Sequence, residues 1–167
     1  MSTENLNNTQ AIEKLQQLID AIEVGILSTF VDHTAYPHSV PMTYQEVDNQ
    51  GNIWFLFSSE SESYNHLMRN NKVSLTFGSP STYEFLSING LGESVHDDVK
   101  IEKYWNKFAE AWFTDKNDPR IRLLKVVPLE AHYWDNKSNK FMTLLKVAAS
   151  AITGQKSDIA REGDINI

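Results

Sequence analysis

Apolar residues recur at Ile12, Leu15, Ile19 and Ile22, with Glu13, Lys14, Gln16, Gln17 and Asp20 largely on the opposite side. That period predicts an amphipathic helix, capped by Thr9 and lying on an apolar surface. The period then shortens to two. Strands are predicted over residues 24–31, with Gly25 near the start, and over 37–47, joined by Asp32-His33-Thr34. Pro37 and Pro41 suit an edge or a bulge, because proline cannot donate to a ladder. Across the turn Asp48-Asn49-Gln50-Gly51-Asn52, residues 53–58 are apolar on both faces, so that strand should be central and buried. A short helix opening at Ser59 or Ser61 runs through Leu67 and Met68 to Asn70.

Val73, Leu75 and Phe77 alternate with Ser74 and Thr76, and Gly78-Ser79-Pro80-Ser81 breaks the run. A longer strand over 83–95 puts Tyr83, Phe85, Ser87 and Asn89 on one face and Glu84, Leu86 and Ile88 on the other. Gly90 and Gly92 mark a bend of the kind a curling sheet needs. Asp97 or Asp98 then caps a helix carrying Ile101, Tyr104, Trp105, Phe108 and Trp112. Residues 121–127 and 131–134 read as strands joined through Pro128. After a turn at Asn136-Lys137-Ser138-Asn139, Phe141, Leu144, Leu145 and Ala148 fit a last helix that Gly154 closes. Residues 1–8 and 155–167 read as flexible tails around one domain over 9–154. Many strands joined by short turns, with helices interspersed, suit a closed antiparallel β-barrel decorated by helices. Strict βαβ alternation and a glycine-rich dinucleotide turn are both missing.

A chain of 167 residues with 41% hydrophobic and 11% aromatic content supports one cored domain. The formal net charge of −7 argues against nucleic acid or an anionic membrane as partner. With no cysteine, thiolate catalysis and disulfides are excluded. The first ten residues have no basic-then-apolar pattern and no run reaches the length of a membrane span, so a cytoplasmic protein is expected.

Chemistry-bearing motifs are sparse. His33, His38, His66, His96 and His132 lack metal-ligand spacing, so no metal site is expected. No serine sits in a nucleophile elbow. The stretch Ser58-Ser59-Glu60-Ser61-Glu62-Ser63 opens a helix whose free N–H groups could hold a phosphate. Ser59 with Glu62 also fits a capping box, the default reading because most helix starts bind nothing. Trp105, Trp112, Phe113, Tyr133 and Trp134 could stack on a flat ligand. Helical spacing of Trp105, Phe108 and Trp112 makes core packing or a subunit interface the simpler account.

In order along the chain stand Val40-Pro41-Met42, Trp54-Phe55, Glu102-Lys103-Tyr104-Trp105, Ala111-Trp112-Phe113, Asp118-Pro119-Arg120, Leu123-Leu124-Lys125-Val126 with Pro128, Tyr133-Trp134-Asp135, Leu144-Leu145-Lys146 and Thr153-Gly154. In this order the chain resembles the flavin-binding split-barrel proteins related to pyridoxamine 5′-phosphate oxidase, in the branch called general stress protein 26. The resemblance implies a six-stranded antiparallel split β-barrel and a homodimer with FMN, or FAD, at the subunit interface. It places His38, Val40, Pro41 and Met42 along the isoalloxazine. Phe57, Ser58, Ser59 and Ser63 would hold the ribityl and phosphate, and Trp112 and Phe113 would come from the partner subunit.

The chain departs from that pattern where the phosphate would lie. Relatives commonly carry Arg-x-Arg-Pro-Met where this chain has His38-Ser39-Val40-Pro41-Met42, and often a lysine where it has Ser63. Arg69, Lys72 and Lys140 are the candidate replacements. The implied activity is that of a stress-related flavin oxidoreductase, with His38 the best-placed acid or base. True pyridoxamine 5′-phosphate oxidase activity is not expected, since no basic cluster is visible for that substrate's phosphate. The alternatives are a non-enzymatic split-barrel dimer whose degenerate flavin site takes another ligand or none, and a barrel holding haem or a deazaflavin.

Overall fold

The computed structural model describes residues 2–3, 6–7, 9–31, 36–136 and 160–166. Its strands are β1 (Ser2–Thr3), β2 (Leu6–Asn7), β3 (Val24–Thr29), β4 (His38–Val47), β5 (Ile53–Ser58), β6 (Lys72–Ser79), β7 (Glu84–Val95), β8 (Ile121–Asn136) and β9 (Ala160–Asn166). Its helices are α1 (Thr9–Ile22), α2 (Glu62–Leu67) and α3 (Asp98–Tyr104), with a 3₁₀ turn at Ala109–Ala111. Six strands close into an antiparallel barrel in the order β3, β4, β5, β8, β7, β6 and back to β3. The predicted barrel class is therefore the observed one.

Helix α1 plugs the barrel. Ala11, Leu15, Leu18 and Ile19 are fully buried and join Leu27, Phe55, Leu75, Phe77, Leu86, Ile88, Leu124, Val126 and Tyr133 in the main core. Lys14 reaches from α1 to the buried Asp135 carboxylate, tying the plug to β8. Strand β5 is buried on both sides, as its composition predicts. Ile53, Phe55 and Phe57 face the barrel interior. Trp54 faces a second cluster with Ile101, Tyr104, Ala109, Phe113, Ile121 and Leu123, and Leu56 packs against it. Outside the wall, α3 is locked to β4 by Glu46, which accepts from Lys103 Nζ at 2.8 Å and from the Tyr104 hydroxyl. Those two hydrogen bonds hold the Glu46 carboxyl below its ordinary range.

Three expectations are corrected. The predicted helix through Trp112 stops at Tyr104. Asn106 Oδ1 accepts from the N–H groups of Phe108 and Ala109 at 2.9 and 3.1 Å, which restarts the chain as a separate turn. The two strands around Pro128 are one strand, β8, whose ladder to β7 shifts register at Asn89 and Gly90 and so accommodates the proline. The tail expected over 155–167 contains β9, which pairs with β8 from Ala131 to Asn136, while β1 and β2 pair with β9. Its sequence is mostly polar, which hid a strand that buries Ile165. The turns at Asp32-His33-Thr34 and after Asn136, and the helix around Phe141–Ala148, lie outside the described residues.

The β7–β8 seam sets a strict test. A Cβ on Gly90 would lie 2.3 Å from the Val127 carbonyl oxygen, a backbone atom that cannot swing away. Gly90→Ala should therefore cost about 1–3 kcal/mol, read as a lower urea midpoint by circular dichroism. An unchanged midpoint would mean that the seam does not close this tightly.

Candidate functional site

Strand β4 is paired on both sides only in part. Its residues His38 to Thr43 pair with β3, whereas pairing with β5 is confined to Tyr44, Glu46 and Val47, with a register shift between Tyr44 and Glu46. Among the described residues no ladder partner covers the other edge of His38–Thr43. Pro41 sits on that stretch, where its missing N–H leaves no gap in a second ladder. The wall of the barrel opens there into a cleft of about 670 Å³.

Val40, Pro41 and Met42 from β4 and Leu56 and Phe57 from β5 form its apolar side. Phe108, Ala109, Trp112 and Phe113 stand across from them. Ala109 and Phe113 are rooted in the second core cluster, whereas Phe108 and Trp112 are 70% and 79% exposed beside the cleft. Large aromatic faces left in water next to an apolar groove suit a flat ring that would cover them. The aromatic group read from sequence is thus divided. Tyr133 is in the main core, Trp105 borders the second cluster, and Trp134 packs its ring edge-on to His132 at 4.4 Å.

The other end of the cleft is polar, with Ser58, Ser61, Glu62, Ser63 and Arg120. Its serine turn is largely satisfied from within. Ser61 Oγ donates to the Ser58 carbonyl at 2.7 Å and accepts from the Tyr64 N–H at 3.1 Å, so Ser61 is the N-cap of α2. The Ser59–Glu62 capping box is not formed. Ser59 donates its N–H to the Arg120 carbonyl at 2.8 Å and does not line the cleft, while Ser63 is buried against it. The other expected residues, His38, Val40, Pro41, Met42, Phe57, Ser58, Trp112 and Phe113, all line this one cleft. Trp112 and Phe113, expected from a partner, reach it from the same chain.

His38 lies at the boundary of the two ends. Its Nδ1 is 3.5 Å from the Glu62 carboxylate, and its ring meets His66 edge-on at 5.3 Å. His66 Nδ1 is in turn 3.2 Å from Thr29 Oγ1. A histidine held by a carboxylate at a cleft can give or take a proton there.

Arg120 is the residue that sequence reasoning missed. Arg69 and Lys72 are exposed and do not line the cleft, and Lys140 lies outside the described residues. The antiparallel ladder that pairs Ser58 with Ile121 brings Arg120 to the serine turn. A signal was present in Asp118-Pro119-Arg120, but only the pairing of β5 with β8 gives it a place. The guanidinium is held in a fork by Asp118, with Nε donating to Oδ1 at 3.0 Å and Nη2 to Oδ2 at 2.7 Å. Glu60 lies 3.8 Å away. Hydrogen bonds from the Arg120 side chain, then from the Arg120 and Thr114 N–H groups, hold the Asp118 carboxyl well below the usual range. Among the described residues no group of three or more His, Asp or Glu could hold a metal ion.

Comparison with known proteins places the chain by sequence and by fold. The profile of the family described as pyridoxamine 5′-phosphate oxidase like matches residues 10–158. Protein bli-3 of Neurospora crassa is 23% identical over 94% of this chain and 80% of its own. A structure from Jannaschia sp. CCS1, assigned to general stress protein 26, superposes with a TM-score of 0.77 at 18% identity, covering 93% of this chain and 97% of the other. The general stress FMN/FAD binding protein of Xanthomonas citri is 27% identical, with a TM-score of 0.63 over 77% of this chain and 90% of its own.

The Asp118–Arg120 fork has a pH signature. A depressed carboxyl contributes stability above the unfolded-state value of about 4, and loses it as pH falls toward the folded value. Asp118→Asn should therefore be less stable than the parent at pH 7, with the gap closing below about pH 4 in pH-resolved urea unfolding. A gap independent of pH would mean that the fork does not carry the effect.

Proposed function

Because this chain belongs to the pyridoxamine 5′-phosphate oxidase-like family, in its general stress protein 26 branch, we propose that it binds a flavin, FMN or FAD, in the cleft beside β4 and acts as a redox protein. One observation carries the reading. The open edge of β4 and the exposed faces of Phe108 and Trp112 bound a slot that is apolar along its length and hydroxyl-rich at one end. That donor set fits a flavin. Met42, Pro41 and Leu56 would lie along the isoalloxazine, and Ser58, Ser63 and Arg120 would meet the ribityl chain. A bound flavin supplies the electron and hydride chemistry, and the chain supplies orientation, exclusion of water and the His38 imidazole as a proton carrier. Among the described residues the cleft lining holds no cluster of lysine and arginine such as a phosphorylated pyridoxamine substrate would need, so the proposed activity differs from that of the oxidase itself.

Val24 and Ile26 are 48% and 43% exposed on β3, next to the cleft. A second copy covering this surface would enclose the flavin, which supports the homodimer. No described helix is long and apolar enough to cross a membrane, which accords with a cytoplasmic place of work. The pairing of Arg120 with Asp118 and Glu60 favours one rival reading, a dimer whose flavin site has decayed.

Titration of the purified protein with FMN, followed by quenching of flavin fluorescence and a shift of its visible band, separates the two. Saturable binding is expected, and Trp112→Ala should weaken it roughly tenfold by removing a stacking face. No spectral change up to millimolar FMN would leave the decayed-site reading.

A further inference from the structure

The polar end of the cleft has the wrong charge for a phosphate. Arg120 is the one arginine or lysine side chain lining it among the described residues, with the His38 imidazole at its boundary beside Glu62, and the guanidinium is already clasped by Asp118 through two hydrogen bonds, with Glu60 at 3.8 Å. Glu62 lines the same end. One guanidinium therefore stands against three carboxylates. The serine turn adds little that is free, because the Ser61 hydroxyl is engaged with Ser58 and Tyr64 and the Ser58 hydroxyl accepts from the Glu60 N–H at 3.1 Å. A phosphomonoester carries about −1.5 to −2 charges near neutrality, so it would meet repulsion there. A ribityl chain, which offers hydroxyl donors and acceptors without charge, suits the same groups.

We propose that the cleft recognises the isoalloxazine and a neutral ribityl chain, and that riboflavin-type ligands bind as tightly as FMN or more tightly. The inference rests on the flavin reading above and names the ligand class within it. Selection follows from the carboxylates around Arg120, since unfavourable charge across a few ångströms raises the dissociation constant of the charged ligand alone.

Parallel titrations with riboflavin and FMN at about 0.05 and 0.5 M salt test it, on the parent and on Glu60→Lys. Glu60 is an exposed side chain outside the cleft lining, so the substitution leaves the ring contacts in place. In the parent, riboflavin should bind at least as tightly as FMN, and added salt should help FMN alone. In Glu60→Lys, FMN affinity should rise roughly tenfold or more with riboflavin unchanged. FMN binding tenfold tighter than riboflavin in the parent, or an unresponsive FMN affinity in Glu60→Lys, would overturn the inference while leaving the flavin reading intact. Failure of both ligands to bind would remove the flavin reading and this inference with it.

Discussion

Everything distinctive about this molecule depends on β5 being buried on both faces. A barrel strand ordinarily turns one face to water, which permits polar residues at every second position. Here Phe55 and Phe57 fill the barrel, while Trp54 and Leu56 turn outward into a second cluster with Ile101, Tyr104 and Phe113. That outer cluster gives the segment between α3 and β8 a fixed seat. Trp54 also donates its indole N–H to Asp48 Oδ2 at 2.8 Å, tying the preceding turn to the same wall. Without the outer layer, Phe108 and Trp112 would have no fixed position relative to the barrel.

The second constraint is the incomplete pairing of β4. A closed barrel removes sheet edges, and an opened one recreates them. Among the described residues, His38 to Thr43 of β4 have no second ladder, and Pro41 stands within that stretch. Proline there suppresses pairing with a foreign strand and leaves side chains of β4 and β5 facing an accessible slot. The outer cluster supplies the opposite side. The cleft is thus a joint product of a strand buried twice and a strand paired once.

Most of the barrel was legible because each strand has a local signature. Leu86 and Ile88 alternate with Ser87 and Asn89, and the structure buries the first pair and turns the second outward. The apolar run at β5 announced its double burial. What stayed hidden was non-local. The polar sequence around Ile165 gives no sign that β8 offers it a free edge. Trp105, Phe108 and Trp112 have helical spacing, yet the Asn106 side chain ends the helix, so two aromatic residues that read as core are exposed at the cleft. Of the site, the β4 and β5 residues could be placed from sequence through family resemblance. Arg120 could not, because its relation to the serine turn exists only through the ladder between β5 and β8.

That ladder also explains why the charge at the polar end cannot be read from composition. Formally the segment from Ser58 to Ser63 brings two glutamates and no base, and Arg120 arrives from a site sixty residues on with its own counter-ion two residues before it. An arginine held in a fork by a neighbouring carboxylate is oriented firmly but presents little net charge. Its remaining N–H groups can still donate to a hydroxyl or a carbonyl. The same pairing that fixes Arg120 in the cleft therefore makes it a better partner for a neutral polar chain than for an anion. For the proposed flavin, geometry and charge at this end favour orientation over electrostatic capture, which would leave the apolar slot between β4 and Trp112 as the main source of affinity.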